Sequence, residues 1–152
     1  MKERYEFKLN ELQKHLEQLT KNIKYIDAFY GFPLSCKEIE IIMQSSDLDK
    51  LDSIAYRTLK FQDTLGRVIK LFFALSAENT ETLTMIDLIN FAQKLGFSID
   101  VKFFREFRAL RNALTHEYVE DCEELASVLN KLKDYLPRLE KILEELKERN
   151  NF

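Results

Sequence analysis

Residues 51–75 have the sequence LDSIAYRTLKFQDTLGRVIKLFFAL, and the spacing of their apolar side chains decides the fold class. One buried stripe recurs every three or four residues, which is the period of an amphipathic helix. The stripe consists of Leu51, Ile54, Thr58, Phe61, Leu65, Val68, Phe72 and Leu75. Gly66 lies inside this pattern at a cost of about 1 kcal/mol relative to Ala, which the close approach of a second helix would explain.

Three further segments repeat at the same spacing. They cover residues 5–30, residues 103–114 and residues 125–146, and short connections separate them. Long amphipathic helices with short connections favour an antiparallel up-and-down bundle. The sequence therefore predicts an all-α protein of about four long helices plus short ones, in a single domain over residues 1–152.

Local signals predict where several helices begin and end. Ser35 and Glu38 have the spacing of a capping box and predict the start of a short helix. A second short helix is predicted over residues 83–95, because a glycine follows it. Asp121 is a suitable cap for the last helix. Pro137 lies inside that last helix, and we expect it to kink the helix or split it.

Composition limits the classes of function. The chain is 45% hydrophobic and 32% charged, which suits a domain with a core. No apolar run could span a bilayer and the first residues do not resemble a signal peptide, so we expect a cytoplasmic protein without membrane contact. Cys36 and Cys122 form no metal-ligand cluster, and we expect both thiols to be reduced. Because the net charge is −3, RNA binding would require a local basic patch.

The segment 103–116 carries the strongest such patch. Plotted at 100° per residue, its core side holds Phe103, Phe107, Leu110 and Leu114. The opposite side holds Arg105, Arg108, Asn112, Thr115 and His116, with Arg111 at the border. Arginine offers phosphate oxygens a planar fork of donors. Histidine, with an ordinary pKa of about 6.5, can exchange a proton near neutrality.

These residues also have an ordinary structural explanation. Surface helices carry arginine and histidine for solubility, and an arginine five residues before a histidine often arises by chance. Tyr118, two residues beyond His116, could simply complete the packing at a helix end. The other histidine, His15, lies between two leucines and beside charged residues, and we interpret it as a solvated flank residue without a function.

Residues 111–118, RNALTHEY, resemble a known signature. Arg-Asn-x-x-x-His is similar to the motif of HEPN domains, and the following x-Tyr is similar to that of the HepT toxins. The resemblance implies a homodimeric helical bundle with metal-independent endoribonuclease activity, in which Arg and His of both subunits meet at the interface. It also implies an antitoxin, the minimal nucleotidyltransferase MNT, which transfers AMP from ATP to the tyrosine. On this resemblance Arg111 and His116 are catalytic, Asn112 supports them and Tyr118 is the modified residue.

The expected chemistry is cleavage of RNA by the neighbouring 2′-hydroxyl group. His116 would move a proton, Arg111 would stabilise charge on the phosphate oxygens, and Arg105 and Arg108 would bind RNA phosphates. We expect no metal and no cofactor, since the carboxylates are scattered along the chain. We interpret Glu117, the one carboxylate near the motif, as a solvent-exposed charge at a helix end. The alternative is a non-catalytic partner or substrate-binding subunit of a nucleotidyltransferase, which the low pI favours. A coiled-coil scaffold would explain the stripes but not the motif.

Overall fold

The computed structural model describes residues 1–76, 79–116 and 121–150, and of His116 only the backbone. Helices account for 82% of the described residues, which include no strand, so the all-α prediction is confirmed. Within these residues no helix is long and apolar enough to cross a membrane. The described helices are α1 (Lys2–Tyr30), α2 (Cys36–Met43), α3 (Leu48–Leu75), α4 (Met85–Lys94), α5 (Val101–His116) and α6 (Cys122–Glu148).

Side-chain caps begin four of the described helices, because the first amides of a helix have no partner within it. At the start of α5, Oδ1 of Asp100 accepts a hydrogen bond of 2.7 Å from the Phe103 amide. The capping box of Ser35 and Glu38 is present at the start of α2, as predicted. At the start of α6, the Asp121 carboxylate accepts hydrogen bonds from the backbone amides of Glu123 and Glu124, at 3.0 and 3.3 Å. Helix α4 begins after Thr84 rather than at Leu83, because the Thr84 side chain caps it.

The core lies between α1, α3, α5 and α6. Helix α1 packs along α3 and also contacts α6, where the Tyr5 hydroxyl donates a hydrogen bond of 3.0 Å to the Leu146 carbonyl. Burial raises the pKa of Tyr5 far above its usual value. Helix α5 packs on α3 through Phe61 and Phe107, whose rings meet edge to face with centroids 6.1 Å apart. This aromatic contact fixes which side of α5 faces solvent.

Pro137 does not split α6, which runs without interruption from Cys122 to Glu148. A proline inside a helix removes one amide donor and disfavours the helix. The neighbouring Leu136 and Leu139 are both buried in the core. Because both halves of α6 pack against the same core, tertiary burial offsets the local cost.

Gly66 lies where α3 approaches the start of α4. A methyl group added at Gly66 would lie 3.4 Å from the Cε atom of Met85, the first residue of α4. The close neighbour is therefore one flexible side chain rather than a helix backbone. Gly66 leaves a shallow depression between α3 and the elements beside it.

Cys36 and Cys122 form a disulfide, so the expectation that both thiols are reduced is wrong. They are the first residues of α2 and α6, and their Cα atoms lie 5.1 Å apart although 86 positions separate them in the chain. In the chain-entropy model, closing a loop of that size destabilises the unfolded chain by about 4–5 kcal/mol. Disulfides persist mainly in oxidising compartments and in proteins of hyperthermophiles. A cytoplasmic location stays a prediction.

Candidate functional site

Helix α5 has the two faces that the sequence predicts. Its core side is buried through Phe103, Phe107, Leu110 and Leu114. Its outer side exposes Arg105, Arg108 and Asn112. Arg111 lies at the border, with 24% of its side chain exposed. The charged end of Arg111 is therefore close both to solvent and to the neighbouring helix α3.

The guanidinium group of Arg111 is held by three side chains. Its Nε donates a hydrogen bond of 2.6 Å to Oε1 of Gln62 on α3. Its Nη1 donates one of 2.7 Å to Oδ1 of Asn112, the next residue on α5. Its Nη2 lies 3.5 Å from Oδ1 of Asp63 on α3. Contacts to all three nitrogens fix the plane of the group, so Arg111 is oriented before any ligand binds.

These partners orient Arg111 but do little to neutralise it. Gln62 is buried and uncharged. The side-chain amide of Asn112 is also a neutral acceptor. Asp63 carries a charge, but its side chain is 49% exposed and the ion pair is long. Exposed pairs of this kind contribute about 0–1 kcal/mol. A phosphate could therefore replace Asp63 at Nη2 while the bond from Nε to Gln62 stays in place.

Arg111 stands at the edge of a groove between α3 and α5 with a volume of about 280 Å³. The groove also contains Arg108 from α5 and Arg67 and Lys70 from α3, whose side chains are exposed. Asp63 is the one carboxylate among its described lining residues. Four cations beside one carboxylate give this groove a local positive charge that suits an anion, in a chain whose net charge is −3.

No family model, curated protein or solved structure matches this chain. The roles of the groove residues therefore depend on their geometry and on the motif that contains Arg111.

The structure brings together some of the residues that the sequence singles out. Asn112 contacts Arg111 directly, and Arg108 lines the same groove. Arg105 is exposed but is not among the described residues that line the groove. The hydroxyl of Thr115 donates to the carbonyl of Arg111 at 3.2 Å, so it supports the last turn of α5 and does not extend the anion site.

The remaining residues of the motif lie outside what the structure describes. The backbone of His116 is the last residue of α5, and its side chain is not described. Glu117 and Tyr118 fall in the segment 117–120, which is outside the described residues. Their assigned roles stay predictions.

Sequence reasoning missed the contribution of α3. Gln62, Asp63, Arg67 and Lys70 all lie on α3, and Gln62 is 49 positions away from the arginine that it holds. One signal was available: positions 63, 67 and 70 share a helix face outside the apolar stripe, and two of them are basic. Nothing in that spacing indicates that the face lies beside Arg111. Among the described residues, no group of three or more His, Cys, Asp or Glu side chains could hold a metal ion.

His15 is not the solvated residue that the sequence suggests. It is partly buried, and Nη1 of Arg57 on α3 donates a hydrogen bond of 3.0 Å to its Nδ1. Burial, together with the positive charge of Arg57, lowers the pKa of His15. Since an arginine can only donate, Nδ1 of His15 carries no proton in this arrangement.

Proposed function

We propose that this chain is a metal-independent endoribonuclease and the toxin of a toxin–antitoxin system, with a HEPN-like up-and-down bundle of the HepT type. The observation that supports this proposal most is the fixed orientation of the guanidinium group of Arg111, the first residue of the Arg-Asn-x-x-x-His motif. Its guanidinium is oriented by Gln62 and Asn112 at 2.6 and 2.7 Å, and it stays charged at the edge of a cationic groove. A fixed cation of this kind suits the negative charge that develops on a phosphate during cleavage.

In the proposed reaction the 2′-oxygen of a ribose attacks the adjacent phosphorus atom. His116 takes the proton of the 2′-hydroxyl, and the bond from phosphorus to the 5′-oxygen of the next nucleotide breaks. The products are a 2′,3′-cyclic phosphate and a 5′-hydroxyl, the latter formed when the leaving oxygen gains a proton. Arg111 binds the non-bridging oxygens as their charge increases, and Asn112 keeps Arg111 in place. The reaction consumes no cofactor.

We propose that the active form is a homodimer in which the two α5 helices face each other across the two-fold axis. Such pairing would add a second arginine and histidine to a site that is sparse in one chain. Light scattering coupled to size exclusion should give twice the mass of 18.1 kDa. A monomer at micromolar concentration would contradict a site shared between subunits.

Regulation is proposed to act at Tyr118, through transfer of AMP from ATP by an MNT-type nucleotidyltransferase encoded beside this chain. The added phosphate would compete with RNA for Arg108 and Arg111, as an added charge blocks an anion site. Intact mass should rise by one or more adenylyl groups, and Tyr118→Phe should lose the adduct and stay toxic beside the antitoxin. Silencing of the Phe variant would contradict this regulation but not the nuclease.

The experiment that tests the function compares the wild type with His116→Ala. Each protein is expressed without a partner while growth is followed, and each is purified and incubated with total RNA in the presence of EDTA. We expect growth arrest and RNA cleavage with the wild type and neither with His116→Ala. The control is Gln93→Ala, at an exposed position on α4, which should arrest growth as the wild type does. Cleavage that is unchanged in His116→Ala would contradict the assignment.

A second candidate function is that of a non-catalytic partner of a nucleotidyltransferase. The net charge of −3 favours it, because most of the surface would repel RNA. In that case growth would continue on expression of the chain alone, and a stable complex with the nucleotidyltransferase would form with or without His116.

A further inference from the structure

Helix α3 carries a ridge of exposed polar side chains that the motif does not include. Tyr56, Lys60, Asp63, Arg67 and Lys70 recur at alternating steps of four and three, so they lie along one side of the helix. The side opposite to this ridge is buried in the core. Lys60 is half-buried, and the other four are exposed.

The ridge meets the motif helix at the groove described above. Arg67 and Lys70 line this groove together with Arg108 and Arg111, and Gly66, which has no side chain, lines it as well. Its floor is apolar, because Met85 and Phe104 also line it. A narrow basic groove with an apolar floor fits one phosphodiester strand, and its volume of about 280 Å³ is too small for a duplex.

Towards α1, the groove continues into a broader hollow of about 870 Å³. The two hollows share Asp63 and Arg67, so they form one continuous surface. Tyr56 stands in the broader hollow with half of its surface exposed. Lys60 Nζ and Arg57 Cζ lie 5.6 and 5.4 Å from the centre of its ring.

The charges in the broader hollow are mixed. Lys14 and Lys60 line it, and so do Glu11 and Glu17 from α1. Glu11 forms an ion pair of 3.1 Å with Lys8, which reduces its repulsion of an anion. This end of the surface therefore offers an aromatic platform more than a concentration of positive charge.

We propose that single-stranded RNA binds along the α3 ridge, with its phosphates on Arg67 and Lys70 and one base stacked on Tyr56. This inference depends on the proposed nuclease function and names the path by which substrate reaches Arg111. Tyr56 and Arg67 are eleven residues apart, or about 16 Å along the helix axis. Cationic grooves with exposed aromatic rings are the usual surfaces for single strands, because every base can stack.

The first test measures binding of a fluorescein-labelled, single-stranded RNA oligonucleotide by anisotropy over a series of salt concentrations. All proteins carry His116→Ala so that the probe stays intact. The variant Arg67→Gln/Lys70→Gln is compared with Lys131→Gln/Lys141→Gln, which removes two exposed lysines from α6. Two lost phosphate contacts should lower the slope of log affinity against log salt by about 1.4 and weaken binding about 25-fold at 0.1 M salt. The α6 variant should bind as its parent does.

A second variant separates stacking from charge. Tyr56→Leu keeps an apolar side chain at this exposed position and leaves every cation in place. It should weaken binding about ten-fold and leave the salt slope unchanged. When His116 is kept intact, Arg67→Gln/Lys70→Gln should lower the rate of RNA cleavage most, and Tyr56→Leu should lower it less.

The outcomes distinguish this inference from the function on which it depends. If the wild type cleaves RNA and the Arg67/Lys70 variant binds like the α6 variant, the ridge proposal is wrong and the nuclease proposal stands. If the Arg67/Lys70 variant instead loses binding to the nucleotidyltransferase and keeps RNA binding, the ridge is a protein surface and the proposal is wrong. If the wild type neither binds nor cleaves RNA, both proposals are wrong.

Discussion

Helices α1 and α5 each contain one of the two histidines, and each histidine has an arginine nearby, in space or in the chain. On α1, His15 receives a hydrogen bond of 3.0 Å from Arg57. On α5, Arg111 precedes His116 by five positions and donates to Gln62 and Asn112 at 2.6 and 2.7 Å. The two arginines therefore differ in what accepts their hydrogen bonds.

This difference separates a structural pair from a candidate site. Arg57 donates to Nδ1 of His15, and burial, together with the positive charge of Arg57, lowers the pKa of that histidine, so protonation of His15 is disfavoured. Arg111 is held mainly by neutral amides, which leave its charge available to an anion. An arginine beside a histidine is thus weak evidence for a functional site. The groups that accept the hydrogen bonds of the arginine are better evidence.

The largest effect should come from the arginines themselves. Arg111→Ala should lower RNA cleavage about 100-fold to 1,000-fold, the usual loss when one group that stabilises transition-state charge is removed. Arg57→Ala, the matched variant on α3, should lower cleavage far less, because Arg57 lies beside Tyr56 at the far end of the proposed RNA path and not at the motif. Equal losses in single-turnover cleavage for the two variants would erase the distinction between the pairs.

The next largest effect on cleavage should come from Gln62, the acceptor that orients Arg111. Gln62→Leu keeps the volume of this buried side chain but removes the acceptor for Nε, so we expect about ten-fold slower cleavage at saturating RNA. Gln93→Leu, at an exposed position on α4, is the control. If Gln62→Leu cleaves at the wild-type rate, Arg111 does not need Gln62 for its orientation.

Removal of the Asp63 carboxylate, which competes with RNA for the cations of the groove, should strengthen RNA binding rather than weaken function. Asp63→Asn takes the only described negative charge out of the groove, so RNA should bind about five-fold more tightly at 0.1 M salt. Glu140→Gln makes the same change of charge at an exposed position on α6 and should have little effect. Anisotropy titrations of both, in the His116→Ala background, measure the difference. Weaker binding by Asp63→Asn would mean that the carboxylate positions Arg111 rather than competes with RNA.

The smallest effect concerns stability at acid pH and belongs to His15. The pKa of His15 is lowered in the folded protein, whereas in the unfolded chain a histidine titrates near its ordinary value of about 6.5. As the pH falls below about 6.5, the unfolded chain therefore takes up a proton that the folded protein does not, and the free energy of unfolding decreases. His15→Gln should lose less stability than the wild type between about pH 7.5 and about pH 5.5, as measured by urea unfolding. A larger loss in the variant would contradict the lowered pKa.

The sequence predicts those features that depend on neighbours along the chain. The apolar stripe of residues 51–75 and the capping box of Ser35 and Glu38 are local, and both are present. The faces of α5 follow from the helical period in the same way. Features that depend on distant contacts were not predicted, because spacing in the sequence does not reveal which helices become neighbours. Gln62 beside Arg111 is one of them.

Of the two outcomes expected at Pro137, a kink or a split, the split does not occur, and the expectation of reduced thiols is wrong for the same physical reason. Pro137 has a local tendency to break a helix, but core packing on both sides of it keeps α6 continuous. The state of Cys36 and Cys122 was inferred from composition, although it depends on the packing of α2 against α6. In both cases tertiary contacts override the local or compositional signal.

The Cys36–Cys122 bridge also makes a closed ring of the chain between these positions. The ring contains all of α3, α4 and α5, and therefore Gln62, Arg67 and Arg111, whereas α1 and most of α6 extend from it as two tails. A single cut of the backbone anywhere inside the ring would not separate the molecule into two pieces. Such a nicked protein should run as one species on a denaturing gel and divide into two fragments only after a reductant is added.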